Sequence, residues 1–479
     1  MRSRPRRARG DADPRPGGPR PTARRADRGA APQAAGRPPG DRRRARPRRD
    51  DGDRAHHPGH PRPRSRPDRR GVGVLPPARR RDPDLRHVGQ RVPLPAAAVD
   101  LRRVARRGVR RGRGGFRGHG VTRPRQHHTA PTGWVNDPQL TWHDGRYHLF
   151  FQYLPDRTTW ELGCHWGHAT STDLLTWEPA PVALAPGDGD DGCWSGSIAG
   201  GVVFYTSVSA DRPEQGRIRR AVPADDSWTT WIKQDVVIEP PAEATHFRDP
   251  FVRYEGDGWR MVVGCATAAG PAVWSYRTRD LKSWHADGIV AARPGTEWTG
   301  KGWECPALVE VDGSTVLLVS VWEPDALHYL AYAVCSPDDT ADPGLHPGTF
   351  RRLSYGPSPY AATAFADREG RPGIVAWLRE VGDTAAGWAG ATSIPALVSL
   401  RDGRLELAPV TATEAWSPAV GDSLERSGYT LLARTGSVLL TSGGHRVELP
   451  WSGETLRLVA DGPVLEVYGE DGWAAVPLG

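Results

Sequence analysis

TWHDGRYHLFFQY, residues 141–153, is two short apolar-aromatic runs hinged on an Asp-Gly pair. Asp-Gly supplies the positive φ that a tight turn between antiparallel strands demands, so the stretch predicts a β-hairpin. FVRYEGDGWRMVVG (251–264) and ALVEVDGSTVLLVS (307–320) follow the same plan. Long apolar stretches with a 3.6-residue period are almost absent, and the predicted fold class is all-β.

Working outward, STDLLTW (171–177) and TRDLKSW (278–284) share the frame [ST]-x-D-L-x-x-W, 107 residues apart, each after a strand-like run. A recurring strand–turn–Trp unit points to radial repetition of small sheets about an axis, with two coincidental surface turns as the alternative. At about 50 residues per four-stranded unit, the repeating region accommodates a five-bladed β-propeller. After SIPALVSL (393–400) come GYTLLARTG, SVLLTSG, HRVELPW, TLRLVADG and VLEVYGEDGW, which read as a short antiparallel module. A module of that size has a small core of its own and is expected to pack on the propeller. The predicted division is residues 1–120, 121–408 and 409–479.

The first of these is unlike the rest. Residues 1–125 hold 38 Arg and 11 Asp with no Lys or Glu, a formal charge of +27, which leaves −19 for residues 126–479 out of the whole-chain +8. With Phe116 as its one aromatic residue, this stretch cannot bury enough apolar surface to offset chain entropy, and disorder is expected. Its Arg, Pro, Gly and Ala bias is what GC-rich DNA gives when read upstream of a start or out of frame, with Val109 or Val121 as candidate starts. The alternative is a basic arm for nucleic acid, but Lys, aromatics and ordered Gly-Arg repeats are missing, so nucleic acid is not the expected partner. No apolar run reaches the roughly 18 residues of a membrane span, and the opening arginines precede no apolar signal core. A cytoplasmic location is the default expectation. Cys164, Cys193, Cys265, Cys305 and Cys335 fit neither a zinc spacing nor a disulfide framework.

Three acids stand out by context: Asp137 in GWVNDP (133–138), Asp249 in HFRDPF (246–251) and Glu304 in KGWECPAL (301–308). Each is followed at once or after one residue by proline, which ends a ladder and fixes the neighbouring backbone. Paired carboxylates are the equipment of glycoside hydrolysis. Taken singly, an Asp-Pro is equally a turn-starter.

In order along the chain, HHTAPTGWVNDP, YHLFFQYLP, TTWELGCHWGHATSTDLLTWE, WSGS, THFRDPF and WECPAL resemble glycoside hydrolase family 32, the invertase, levanase and inulinase group. The resemblance runs from about Arg123 to Pro395 and fades into a stretch like the family's C-terminal β-sandwich. It implies a five-bladed propeller with an axial pocket, and cleavage of terminal β-fructofuranosyl linkages in sucrose, fructo-oligosaccharides or fructans. It assigns Asp137 as nucleophile, Glu304 as acid/base, and Asp249 with Arg248 as holders of the sugar hydroxyls. Asn136, Gln152, Trp160, Trp194, Ser195 and Trp377 are the implied sugar-binding shell, with core packing the alternative for the tryptophans. His165 and His168 read as structural. No metal or cofactor is required.

The family's Asn-Asp-Pro-Asn-Gly continues here as Gln139-Leu140, and its Asp-Phe-Tyr-Ala-Ala-Gln loop reads Ser358-Pro359-Tyr360-Ala361-Ala362-Thr363. Fructosyl transfer on the same three acids, or a propeller that binds fructan without cleaving it, are the competing readings.

Overall fold

The computed structural model describes residues 123–296, 299–324, 326–336 and 345–478. The expectations for residues 1–120 fall outside that span. The described residues contain β-strands and no helix.

Small, mainly antiparallel sheets succeed one another in chain order. The first runs Gly133–His143, Arg146–Leu154, His165–Ser171 and Glu178–Leu184; the second begins at Gly192–Ala199 and the third at His246–Tyr254. A fourth begins at Gly302–Val311, and a fifth at Pro359–Ala366, pairing with Pro372–Asp383 and followed by Ala396–Arg401 and Arg404–Pro409. The first strands of these five sheets touch in a closed cycle, each beside the next and the fifth beside the first. Their apolar clusters lie between neighbouring sheets, as where Phe204, Met261 and Trp274 meet.

Closure of the ring is made by backbone hydrogen bonds. Trp388–Thr392 pairs antiparallel with Pro372–Asp383 and parallel with the chain's first described strand, Gly133 opposite Trp388 and Trp134 opposite Ala389. That fuses the first and fifth sheets into a single nine-stranded sheet. Gly390 makes the close approach possible: its φ is +81°, and a Cβ there would lie 1.9 Å from the carbonyl oxygen of Val135.

The sequence repeat is one turn used twice. In the first sheet Asp173 Oδ1 accepts the backbone N–H groups of Leu175 and Thr176, with Leu174 at φ +69°. In the third, Asp280 Oδ1 accepts those of Lys282 and Ser283, with Leu281 at φ +58°. Each turn joins the third strand of a sheet to its fourth, and the Trp beyond it folds inward: Trp284 packs edge-on against Phe204. A carboxylate that caps two backbone donors stabilises the tight turn, which is why the Asp recurs.

Beyond Pro409, two sheets share one apolar cluster containing Leu431, Leu440, Leu465, Val467 and Val476. One of them also takes in Ser354–Tyr355, which pairs in parallel with Gly472–Pro477 from inside the span assigned to the propeller. A buried ionic knot adds to this junction. Asp461 accepts backbone N–H bonds from Arg125, Gln126 and His127, and the His127 ring bridges Asp461 (2.8 Å) and Glu466 (2.7 Å). Glu466 in turn accepts from Ile394 N–H, Tyr468 O–H and Trp473 Nε1–H.

Candidate active site

All five first strands carry a β-bulge at the same level. Pairing skips Asp137 between Asn136 and Pro138, Ser195 between Trp194 and Gly196, and Asp249-Pro250 between Arg248 and Phe251. It likewise skips Cys305-Pro306 between Glu304 and Ala307, and Ala361-Ala362 between Tyr360 and Thr363. Asp137 (φ +43°), Asp249 (+65°), Cys305 (+46°) and Ala361 (+48°) sit in the left-handed region. Each such non-glycine residue costs on the order of 1–3 kcal/mol, sustained by the surrounding sheets.

Sequence reading expected the prolines to end the strands. They do not. Gly133–His143, His246–Tyr254 and Gly302–Val311 continue well past Pro138, Pro250 and Pro306. The missing N–H falls where the bulge already breaks the ladder, so proline costs no hydrogen bond there. Each bulge re-aims a side chain towards the axis. Gly264, facing the third bulge, lets the fourth strand close in: a Cβ there would lie 2.4 Å from the Trp303 carbonyl oxygen and 3.3 Å from Glu304 Cα.

The three acids are brought together. Asp137 Oδ2 accepts from Ser195 Oγ–H at 2.6 Å and from the Gln152 amide at 2.9 Å, while the Asn136 amide reaches Oδ1 at 3.2 Å. Asp249 Oδ2 accepts Cys305 N–H at 3.0 Å. The Cys305 thiol bridges the two aspartates, 3.6 Å from Asp249 Oδ2 and 3.9 Å from Asp137 Oδ2. Glu304 accepts from Arg248 Nη2 at 2.8 Å on Oε1 and from the Tyr360 hydroxyl at 2.5 Å on Oε2.

Burial, then the charge of Asp249, pushes the Asp137 carboxyl up to about 7, against the pull of the Ser195 hydrogen bond. Burial and Glu304 push Asp249 up to about 6, with Arg248 opposing. Asp137 is partly exposed, while its carboxyl accepts from Ser195, Gln152 and Asn136. Arg248 is the cation among them. Its guanidinium lies between the rings of Trp194 (5.3 Å) and Trp322 (5.4 Å), with Glu304 and Glu214 in its plane. Burial works against its charge, yet Glu304 and Glu214 raise its pKa further. Glu214 is correspondingly held down at about 2 by Arg248, despite burial.

Of the implied sugar shell, Asn136, Gln152, Ser195 and Arg248 are in direct contact with the acids. Trp194 donates its indole N–H to Leu162 O at 2.9 Å. Trp160 packs edge-on against it at 5.5 Å. Trp377 clusters with Cys305, Tyr360 and Ala361, and edge-on with Trp134 at 5.5 Å. Asn136 Oδ1, Gln152 Oε1, Trp134 Nε1 and Trp377 Nε1 are buried without a hydrogen-bond partner among the described residues. Glu214, Trp322, Trp134 and Cys305 are the functional neighbours sequence reasoning missed. Cys305 and Trp134 had a visible signal, the one lying between Glu304 and Pro306 and the other inside GWVNDP. His168 bonds to His148 (3.0 Å) and stacks on Phe150, while its Nδ1 and that of His165 are buried without a hydrogen-bond partner among the described residues.

All five cysteines are buried. No group of three or more His, Cys, Asp and Glu among the described residues is arranged to hold a metal ion, and no helix there is long and apolar enough to cross a membrane.

A family model described as glycosyl hydrolases family 32 N-terminal domain matches residues 127–409, and the chain belongs to that family. Among characterised relatives it is similar to the raffinose invertase of Escherichia coli, 35% identical over 314 residues, which cover 60% of this chain and 65% of that one. It is also similar to the sucrose-6-phosphate hydrolase of Zymomonas mobilis, 34% identical over 61% of this chain and 62% of that one. The chain thus spans just under two thirds of the length of these relatives. Among solved structures, the Bombyx mori family 32 β-fructofuranosidase in complex with sucrose superposes with a TM-score of 0.65 at 23% identity, covering 74% of this chain and 89% of that one. Fructan 1-exohydrolase IIa from Cichorium intybus in complex with 1-kestose gives 0.63 at 20% identity, covering 74% and 91%. These last two establish the shared fold.

Proposed function

We propose that this protein hydrolyses terminal β-D-fructofuranosyl linkages of sucrose or fructans, with retention, through a covalent fructosyl-enzyme. The observation that carries the reading is the convergence of Asp137, Asp249 and Glu304 on one axial mouth, in a chain whose relatives bear the names invertase and sucrose-6-phosphate hydrolase.

Asp137 attacks the anomeric carbon. Ser195 and Gln152 donate to its Oδ2, which orients the carboxylate and favours its ionised form. The leaving oxygen needs a proton. Burial and mutual repulsion keep one within the trio of acids near neutral pH. With Asp137 as the nucleophile, Glu304, held by Arg248 and Tyr360, serves as the acid that delivers it, and the same carboxylate then takes a proton from the water that releases fructose. Asp249 Oδ1 has no protein partner among the described residues and holds sugar hydroxyls, while Oδ2 is fixed by Cys305. The buried, unpartnered amide oxygens of Asn136 and Gln152 and the indole N–H groups of Trp134 and Trp377 suit a polyhydroxylated ring, whose hydroxyls satisfy donors and acceptors alike.

The test is fructose release from sucrose, inulin and levan by the wild-type protein, with Asp137→Asn as control. Release by wild type only supports the reading. Release of glucose without matching fructose from sucrose favours transfer to sugar over water. A folded protein that releases nothing overturns it.

A further inference from the structure

We propose that Gln139 and Thr363, both departures from the family's usual pattern, are a compensated pair of positioning residues that sets the spacing between nucleophile and acid. Thr363 Oγ1–H donates to Gln139 Oε1 at 3.0 Å across 224 residues of chain, and both side chains are buried (3% and 7% exposed). The inner strands that carry them belong to the first and fifth sheets and are not ladder partners. The backbone seam joins their sheets at Gly133 and Trp134, and beyond the bulges this side-chain bond links the two strands directly.

The tie lies where both bulges end. Pairing resumes after Asp137 at Pro138, opposite Phe151, and Gln139 is next, opposite Phe150. On the other strand it resumes after Ala361-Ala362 at Thr363 itself, opposite Val375. A bulge is the place where a strand can shift its register locally, and Pro138 contributes no N–H to resist this. One bulge aims Asp137, and the other places Tyr360, whose hydroxyl holds Glu304 Oε2 at 2.5 Å. Linking Gln139 to Thr363 thus links the nucleophile's backbone to the acid's anchor. The two residues also line a small cleft shared with Asp249 and Cys305.

The lengths of the side chains fit. The usual pattern has a short amide (Asn) at the position of Gln139 and a long one (Gln) at that of Thr363. Here the long side chain is on the first strand and the short one on the second. Either arrangement puts one long and one short side chain at the two positions. Two short ones leave the buried carbonyl unbonded, and two long ones crowd a buried position.

This inference rests on the fructosidase reading and is tested with it. Turnover of sucrose is measured for the full-length wild type, Gln139→Asn, Thr363→Gln and the double exchange, with thermal unfolding followed alongside. Each single exchange is expected to lower kcat about ten-fold with KM within about two-fold, the double returning to within about three-fold of wild type. A role in stability alone predicts that kcat of the folded fraction stays put while unfolding midpoints fall, and this overturns the proposal. So does an active wild type whose double exchange loses the product of the two single losses. A wild type that releases no fructose removes the function reading, and the proposal with it.

Discussion

Raising the pH should loosen the knot that holds the chain's first described residues to the C-terminal module, and His127 sets the range. Its ring is wholly buried between Asp461 and Glu466. Burial opposes its charge, but the hydrogen bonds and charges of both carboxylates outweigh that and raise its pKa from 6.5 to about 9. A group whose folded pKa is raised contributes stability fully present below the unfolded value and lost as pH climbs through the folded one. The window is therefore pH 6.5 to about 9. At about 1.4 kcal/mol per pH unit, the shift corresponds to about 3 kcal/mol. The assay is thermal unfolding of wild type and His127→Gln across pH 6 to 10. Glutamine keeps one bond but leaves a buried carboxylate without its counter-charge, which destabilises. Comparing the two proteins at each pH cancels the tyrosines and cysteines that titrate in the same range. At roughly 2 °C per kcal/mol for a domain of this size, the midpoints should differ by about 6 °C at pH 6.5 and converge near pH 10. A gap that stays constant over the whole range would refute a charged His127.

Glu304→Gln and Asp137→Asn should each lower kcat by about three orders of magnitude or more with the unfolding midpoint little changed, as initial-rate assays of fructose release will reveal; either variant above about a tenth of wild-type turnover loses its assigned role. Because burial and Asp249 raise Asp137 to about 7, kcat/KM should fall roughly ten-fold per pH unit below that value as the nucleophile is protonated. A profile flat down to pH 5 would contradict it. Gly390→Ala should destabilise by more than about 2 kcal/mol in denaturant unfolding, since its Cβ would overlap the Val135 carbonyl at the seam closing the ring. An unfolding curve that superposes on wild type would show the seam to be dispensable.

Several parts of this architecture were legible because their cause is local. Asp-Gly pairs at 144–145 and 312–313 place residues with positive φ in two-residue turns, and Asp173 and Asp280 cap their turns with their own carboxylates; chemistry confined to a few neighbouring residues is written in their order. The closing seam was not legible. Nothing in WAGAT (388–392) announces a parallel partner some 250 residues earlier, and Gly390 reads as one more flexible residue until Val135 is placed against it. The same holds for Glu214, whose loop carries no motif, and for His127, whose two counter-charges come from the far end of the chain.

The prolines beside the acids were noticed for the wrong reason, and the difference bears on how such a site is built. A proline that ends a strand would leave its acid on a loop, where position is set by few contacts. A proline inside a bulge leaves the acid within a strand bonded on both sides of the break, so Asp137 is bracketed by the Asn136–Gln152 and Pro138–Phe151 pairs. Five sheets with their bulges at one level then aim Asp137, Ser195, Asp249 and Glu304 at a common axis from four directions. Rigid elements hold a reacting group more precisely than loops do, and the left-handed conformations at four of the five bulges are the conformational cost of that precision. The strain belongs where it is found because relieving any one bulge would turn its side chain away from the axis.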